Sequence, residues 1–561
     1  MIASKSLFSK IILFFVIVIF VLIIRDLNPF DNNIFIGHDE TQAARISEFS
    51  LNLKNGIIPP RIAPHFSFNL GYPIFNYYAP TAYWITSLIH LTGIEIPQSL
   101  ELSFILALIT ACSGMYLFLK HYFGKLAGMV GAVSYVSSPF IAVDIFVRSN
   151  LSEMWFFALF PVVLYLITTL KKQNLFFTAV IFSALFTSHN IFSLVSIPII
   201  IFYAFIVKEK RAFLAILAGM LLSSYFWIPA LGEISQVHAT QVATLTKYSD
   251  HFLCLLQLWS SPWGYGGSTA GCISDGMSFM VGKAQILFAG LGILIFLYKL
   301  FTKKRAKIDV IALAVGVILF GSIFLTTESS VFVWNVFSPI LSLFQFPWRF
   351  LLFVIFGLAF FTSYFVAFQT RIFRIISATI IIIVFFFTNY KFFVAKKLSL
   401  ETYTASYLSN IYISDTAAYK VTEYLPISAD YDFWKNLESN DISAFGFKNP
   451  VQTSPNQTLS IIKNTPFEKI FKIKSDDSII LNLHSAAYWD IRIDDKQYIP
   501  KDLDKLGRPV VKLKPGFYQT IKISYQQTPL EQFANILTLL SGIILLLYSY
   551  QRSLWKKIKI H

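Results

Sequence analysis

What most limits the fold of this chain is a series of apolar runs, each near the length of a bilayer span, cut by short clusters of lysine and arginine. FILALITACSGMYLFL (104–119) and LFVIFGLAFFTSYFVAF (352–368) are examples. A helix crossing a hydrocarbon core of about 30 Å needs roughly 20 mostly apolar residues, so runs of this kind read as transmembrane helices. With 55% of residues hydrophobic, 58 of them Phe, and only 14% charged, the chain has more apolar surface than a soluble core can hide. The net charge of +15 does not gather into a nucleic-acid-binding face. Its lysines and arginines sit between apolar runs, as in cytoplasmic loops that obey the positive-inside rule.

Those clusters set the expected topology. They are Lys120/His121/Lys125, Lys171/Lys172, Lys208/Lys210/Arg211, Lys303/Lys304/Arg305/Lys307, Arg371/Arg374 and Arg552/Lys556/Lys557/Lys559. If 72–92 were a full span, the clusters near 120, 171 and 208 would lie outside. If 72–92 lies in the interface or re-enters, every cluster falls inside, and its Tyr- and Trp-rich start suits an interface. Lys5 and Lys10 precede the run Ile11–Ile24, and no small-x-small cleavage site follows, so this run reads as a retained first span. The expected spans are about 8–25, 100–119, 126–146, 151–170, 175–188, 191–207, 212–231, 286–301, 308–325, 347–367, 374–390 and 532–550, about twelve in all. The segment 175–188 is short for a bilayer. The expectation is a multi-pass protein of the plasma (inner) membrane with both termini cytoplasmic.

Four segments then face outward: 27–99, a short turn at 144–153, 232–285, and about 391–531. The second half of the last alternates in SIILNLH (478–484), YWDIRID (488–494), PVVKLK (509–514) and QTIKISY (519–525). Period-2 alternation with turns at Gly507 and Lys514-Pro515-Gly516 predicts a small antiparallel β domain. Residues 391–450 are polar and aromatic with weak periodicity, which suits mixed helix and loop. Cys254 and Cys272 share one outer loop, while Cys112 lies in a span. The outer pair is either two free thiols or a bridge that contributes roughly 3 kcal/mol.

Polar chemistry is scarce, which makes its positions informative. His38, Asp39 and Glu40 follow the first span, ahead of the aromatic and proline residues at 72–84. Asp39 and Glu40 are either loop acids favoured by a helix dipole near Thr41, or a carboxylate placed as general base or metal ligand at the membrane surface. In the turn DIFVRSNLSE, Arg148 and Glu153 form a structural ion pair, or Glu153 faces Asp39 across a cavity while Arg148 holds a phosphate. Asp144 belongs to the same turn. His189 is a turn residue or a donor to phosphate or sugar. Arg349, beside Trp348 at the start of a span, either snorkels to lipid headgroups or clamps a lipid-linked phosphate in bidentate fashion. Lys420, Glu423 and the EYLP turn (423–426) suggest structure only.

The motifs GHDETQAARI (37–46), GYPIFNYYAPTAYW (71–84), VRSNLSEMW (147–155) and FQFPWRF (344–350), with the 488–525 stretch, resemble the membrane proteins labelled 6-pyruvoyl-tetrahydropterin synthase-related. The arrangement of one span, a large outer loop with an early acid, two spans and a second acidic turn resembles C-type glycosyltransferases (GT-C). The soluble pterin enzyme needs a His-rich zinc site that this chain lacks, so no pterin or zinc site is expected. A divalent cation remains compatible with the acids, although Asp144 and Glu153 are not adjacent. The resemblance implies a mainly α, polytopic, GT-C-like membrane bundle. Residues 1–390 would form the core, including the first extracytoplasmic loop with interfacial helices (27–99). Residues 391–531 would form an extracytoplasmic α/β or β-sandwich-like domain, and 532–561 the final span and basic tail. It implies transfer of a sugar from a polyprenyl-phosphate carrier to a glycan, lipid or protein acceptor. Asp39 or Glu40 would be the first-loop acid, Glu153 or Asp144 the second, and Arg349 and Arg148 the phosphate ligands.

Two other classes remain open at this level. A transporter or flippase of lipid-linked glycans calls for charges deep inside broken spans; the expected spans are almost free of charge at mid-depth, and Glu101 lies at an end. A non-catalytic membrane scaffold predicts that the first loop and Arg349 do not meet.

Overall fold

The computed structural model describes residues 14, 16–170, 174–239, 247–272, 274–302, 307–417, 422–437, 449–452, 457–474 and 477–558. Lys5, Lys10, Lys171, Lys172, Lys303, Lys304, Arg305, Lys420 and the start of the first expected span lie outside them. The fold is mainly helical, with a β-sheet domain before the last long helix.

Seven helices among the described residues are long and apolar enough to cross a membrane: Ile96–Phe123, Leu151–Thr169, Lys283–Phe301, Ile308–Thr326, Pro347–Ala367, Arg371–Phe392 and Pro529–Gln551. Two bent pairs bring the number to nine if each is one span. Lys125–Val136 and Pro139–Val147 meet at 47°, and Arg211–Leu222 and Ser224–Gly232 at 66°. Both bends have local causes. Pro139 cannot donate into the preceding turn, and the Ser223 hydroxyl donates back to the Gly219 carbonyl at 2.9 Å, which competes with the helical ladder. The expected spans at 126–146 and 212–231 are therefore broken. Leu175–Phe186 and Asn190–Ile206 are shorter apolar helices. The segment 72–92 is two pieces, Ile74–Tyr77 and Thr81–His90, split before Pro80.

Burial orders these helices. Pro347–Ala367 is 89% buried over its apolar window and Leu151–Thr169 83%, so these two form the centre. Pro529–Gln551 is 17% buried and leaves Ile544 and Leu547 uncovered, as a helix facing lipid does. Lys283–Phe301 packs closely on the central helix through Gly292, where a Cβ would strike the Phe361 carbonyl oxygen.

One face of the bundle carries the segment 27–99 and the β domain; we call it the loop face. Strand β1 (Asn33–Ile36) pairs antiparallel with β2 (Lys396–Ser399), Asn33 opposite Ser399. The β domain holds two sheets. The first has the order β3 (Val451–Gln452), β6 (Ile479–Leu481), β10 (Pro509–Val511), β9 (Asp502–Leu503). The second has the order β4 (Thr458–Asn464), β5 (Glu468–Lys474), β11 (Tyr518–Tyr525), β7 (Trp489–Ile493), β8 (Lys496–Gln497). Ile521 and Ile523 of β11 point into its core with Phe471 and Ile473 of β5, as the alternation in QTIKISY requires. Ile62 of the first loop enters the same core, and the His484 amide donates to the Leu70 carbonyl at 2.9 Å. The loop is thus fixed from both sides.

Candidate functional site

The site begins with the turn between the bent third span and helix Leu151–Thr169. Residues 143–147 form one wide helical turn, and the Asn150 amide bonds the Asp144 carbonyl at 3.0 Å. Ser149 then takes a left-handed conformation, φ 54°, and Asn150 caps the next helix by accepting from the Glu153 amide at 3.1 Å. This places Asp144, Arg148 and Glu153 on one side, with Glu153 in the first turn, where the helix dipole favours a carboxylate.

Arg148 lies between the two acids. Its Nη1 donates to Asp144 Oδ1 and, at 2.6 Å, to Glu153 Oε2; its Nη2 donates to Glu153 Oε1 at 2.8 Å. Asp144 and Glu153 are 0% exposed. The guanidinium carbon sits 4.6 Å from the centre of the Trp348 ring, a cation–π contact that brings FQFPWRF to this turn. Burial opposes the Arg148 charge, but Glu153 and Asp144 more than offset it and hold its pKa above the ordinary value.

Arg349 approaches Glu153 from the other side, Nε to Oε1 at 3.1 Å. Its Nη1 donates to the Phe344 carbonyl at 2.8 Å, inside its own turn. Its Nη2 makes no hydrogen bond within the described residues. His189 Nε2 is 3.8 Å from Glu153 Oε1, and His189 Nδ1 accepts from the amides of Ile191 and Phe192, capping helix Asn190–Ile206. Burial, with Arg349 and Arg148 adding to it, outweighs Glu153 and lowers the imidazole pKa to about 3, so His189 is neutral with its proton on Nε2.

The first loop lies directly on this turn. The His38 amide donates to the Val147 carbonyl at 2.8 Å and the Asp39 amide to the Arg148 carbonyl at 3.0 Å. Gly37 permits the approach, since a Cβ there would come within 2.9 Å of the Val147 carbonyl oxygen. Asp39 is 25% exposed and accepts from Thr41 Oγ1 at 2.9 Å and Gln42 Nε2 at 2.5 Å. Helix Gln42–Lys54 follows, with no side-chain cap.

Of the residues singled out in the sequence, Asp144, Arg148, Glu153, His189, Trp348 and Arg349 meet around Glu153, and Asp39 joins them through the Arg148 backbone. His38 turns away, its Nε2 2.7 Å from the Tyr265 carbonyl. Glu40 acts on Tyr407 and Tyr412 instead. Cys254 and Cys272 are joined as a disulfide, Cα–Cα 5.7 Å, in the segment that also holds Tyr265. Sequence reasoning missed Gln42 and Arg45. Arg45 is 4% exposed, with Nη1 3.9 Å from Asp39 Oδ2 and 3.1 Å from the Tyr83 hydroxyl. The signal was present, because Gln42 and Arg45 are spaced by three on the helix that directly follows Asp39. Among the described residues no group of three His, Cys, Asp or Glu side chains is placed to hold a metal ion.

No family model matches this sequence, and no curated protein matches it. Among solved structures, ArnT from Cupriavidus metallidurans in the apo state aligns with a TM-score of 0.37 and 15% identity, covering 64% of this chain and 60% of that one. ArnT from the same organism bound to undecaprenyl phosphate aligns with a TM-score of 0.35 and 13% identity, covering 64% and 61%. The match therefore spans about three fifths of those proteins, and a likeness at this level bears on neither activity nor substrate.

Proposed function

We propose that this chain is a membrane glycosyltransferase of the C-type, moving a sugar from a polyprenyl-phosphate carrier to an acceptor hydroxyl at the loop face. The observation that supports it most is the fully buried Glu153, gripped by Arg148, touched by Arg349 and covered by the loop that carries Asp39. A buried ion cluster is a poor stabiliser, since apolar side chains of the same volume often do as well or better. Charges at the end of a span therefore point to chemistry before they point to stability.

In this reading Arg148, bonded to two carboxylates through Nη1 and Nη2, is a positioning residue that fixes Glu153, and Glu153 in turn orients Arg349. The Nη2 edge of Arg349 meets the lipid phosphate. Asp39 takes the proton of the acceptor hydroxyl as its oxygen bonds the anomeric carbon. The bond from that carbon to the phosphate oxygen breaks, its electron pair leaves with the polyprenyl phosphate, and Arg349 stabilises the departing charge. Attack opposite the leaving group inverts the anomeric centre. The domain at 391–531 caps the site in the same scheme.

The test uses full-length protein in liposomes with a set of undecaprenyl-phosphate-linked sugars. Wild type should bind undecaprenyl phosphate and consume a donor. Asp39→Asn should keep donor binding and lose turnover by about 10²–10⁴-fold. Full turnover in that variant removes Asp39 as the base, and no undecaprenyl phosphate binding by wild type removes the transferase.

A further inference from the structure

Beyond Asp39, on the side away from Glu153, two buried polar groups lack partners. Arg45 Nε and Glu423 Oε2 are both enclosed and make no hydrogen bond within the described residues. Orphaned groups of this kind are uncommon in folded proteins and call for an explanation. Arg45 and Asp39 are the charged side chains that act on Glu423, and Tyr424, the next residue, contacts Tyr72 and Tyr77 of the first loop that carries both. Glu423 comes from the segment that opens the cap domain, the EYLP turn for which the sequence suggested no chemistry.

Aromatic rings flank these groups. The Arg45 guanidinium carbon lies 4.9 Å from the centre of the Tyr78 ring. Tyr424 stacks on Tyr77 with centres 5.5 Å apart and planes 15° apart, and its amide donates to the Tyr72 hydroxyl at 2.9 Å. These contacts pin Glu423 against the first loop. Arg45, Asp39 and Arg349 all act on Tyr78.

We infer that Arg45 and Glu423 form an acceptor subsite beside Asp39, and that its ligand is an uncharged sugar. This rests on the transferase reading. A hydroxyl both donates and accepts. Neighbouring hydroxyls of one ring therefore satisfy a guanidinium that only donates and a carboxylate that accepts. A net charge of either sign on the ligand would meet one like charge here. Tyrosine faces supply the apolar contact that a pyranose ring presents along its C–H side, in the usual mixture of aromatic wall and few polar anchors. A hydroxyl held between Arg45 and Glu423 leaves its neighbour against Asp39, where the proposed base needs it.

The experiment measures two affinities on the same detergent-solubilised, full-length protein: binding to an array of immobilised neutral and acidic glycans, and binding to undecaprenyl phosphate. Glu423→Gln keeps the side-chain volume, and Arg45→Lys keeps the charge while losing the fork. Both should weaken neutral-glycan binding by about tenfold or more and leave undecaprenyl phosphate binding unchanged, since a site built for hydroxyls fails when its buried partners are mismatched. The inference is overturned, with the transferase reading intact, if wild type binds undecaprenyl phosphate but only acidic glycans or none. Unchanged neutral-glycan affinity in both variants overturns it equally. Loss of both ligands in both variants also overturns it, because these residues would then support the fold rather than a subsite. If wild type binds neither ligand, the transferase reading falls together with it.

Discussion

Replacing Arg148 with Met tests the centre of the site, because one side chain bonds two buried acids. Its contacts to Glu153 are 2.6 and 2.8 Å, and Asp144 is bonded to the same nitrogen. At an effective dielectric of ~20, unit charges 2.8 Å apart attract by about 6 kcal/mol. Desolvation absorbs much of that, and removing one member of a buried pair costs about 3–5 kcal/mol in practice. Glu153 keeps Arg349, but Asp144, 0% exposed, loses the one cation it bonds, so the upper half of that range applies. Asp144→Asn in the same chain replaces the unpaired carboxyl with a neutral amide and should restore about 0.5–3 kcal/mol as a coupling energy. The assay is equilibrium unfolding of the full-length single and double variants in mixed micelles with rising SDS, followed by tryptophan fluorescence. A cost below about 1 kcal/mol for Arg148→Met would refute the reasoning. So would strict additivity with Asp144→Asn, because the acids would then not depend on this guanidinium.

Arg349→Lys keeps the charge but loses the planar fork, and should raise the dissociation constant for undecaprenyl phosphate by about tenfold or more; equal affinity would place the phosphate elsewhere. His189 has a folded-state pKa of about 3, below its ordinary value of ~6.5, so the fold requires the neutral ring. Its contribution is whole above pH ~6.5 and falls as the pH drops toward 3. His189→Asn keeps a capping acceptor without that titration, and its stability should fall less than wild type's across this window. The Cys254–Cys272 bond joins residues 18 apart and should contribute about 3 kcal/mol. Dithiothreitol should therefore lower the unfolding midpoint of wild type and leave the Cys254→Ser/Cys272→Ser double variant unmoved.

Spans were legible because hydropathy and basic clusters alternate along the whole chain, and helix ends such as Pro347 and Asn190 fall where those signals place them. The bends were not, because a serine or proline inside an apolar run leaves its hydropathy unchanged. Strands β6, β7, β10 and β11 were legible from clean alternation. The β4–β5 hairpin was not, because Lys463, Lys469, Lys472 and Lys474 interrupt the pattern and the fully buried residues of β5 are Phe471 and Ile473 alone. Pairing of β1 with β2 unites four residues near each end of the core, too few for any periodicity. In the site, charge at a span end marked Asp144, Arg148, Glu153 and Arg349 one by one. Of their partnerships, the Arg148–Glu153 ion pair was one of the sequence's expectations; those of Asp144 with Arg148 and of Arg349 with Glu153 were not. Arg148 was expected either to pair with Glu153 or to hold a phosphate; its Nη1 and Nη2 bond two acids supplied from its own turn.

The arrangement around Glu153 also explains why no short motif carries this site. Four separate segments converge there: Asp39 from the first loop, the turn 144–153, His189 at the head of a helix, and the 344–350 turn. A transporter would need charge at mid-span, moved between two states; here the acid sits in the first turn of its helix, with Asn150 capping that turn. A scaffold would need no buried ion cluster at this point, since apolar side chains of the same volume in place of the whole cluster would often stabilise as well or better. In the proposed transferase, what Glu153 provides that an apolar residue would not is a charge partner 3.1 Å from Arg349 Nε, while Arg349 Nη1 bonds its own turn. In the proposed transferase these groups divide the work, Arg349 toward the lipid phosphate and Asp39, on the covering loop, toward the acceptor.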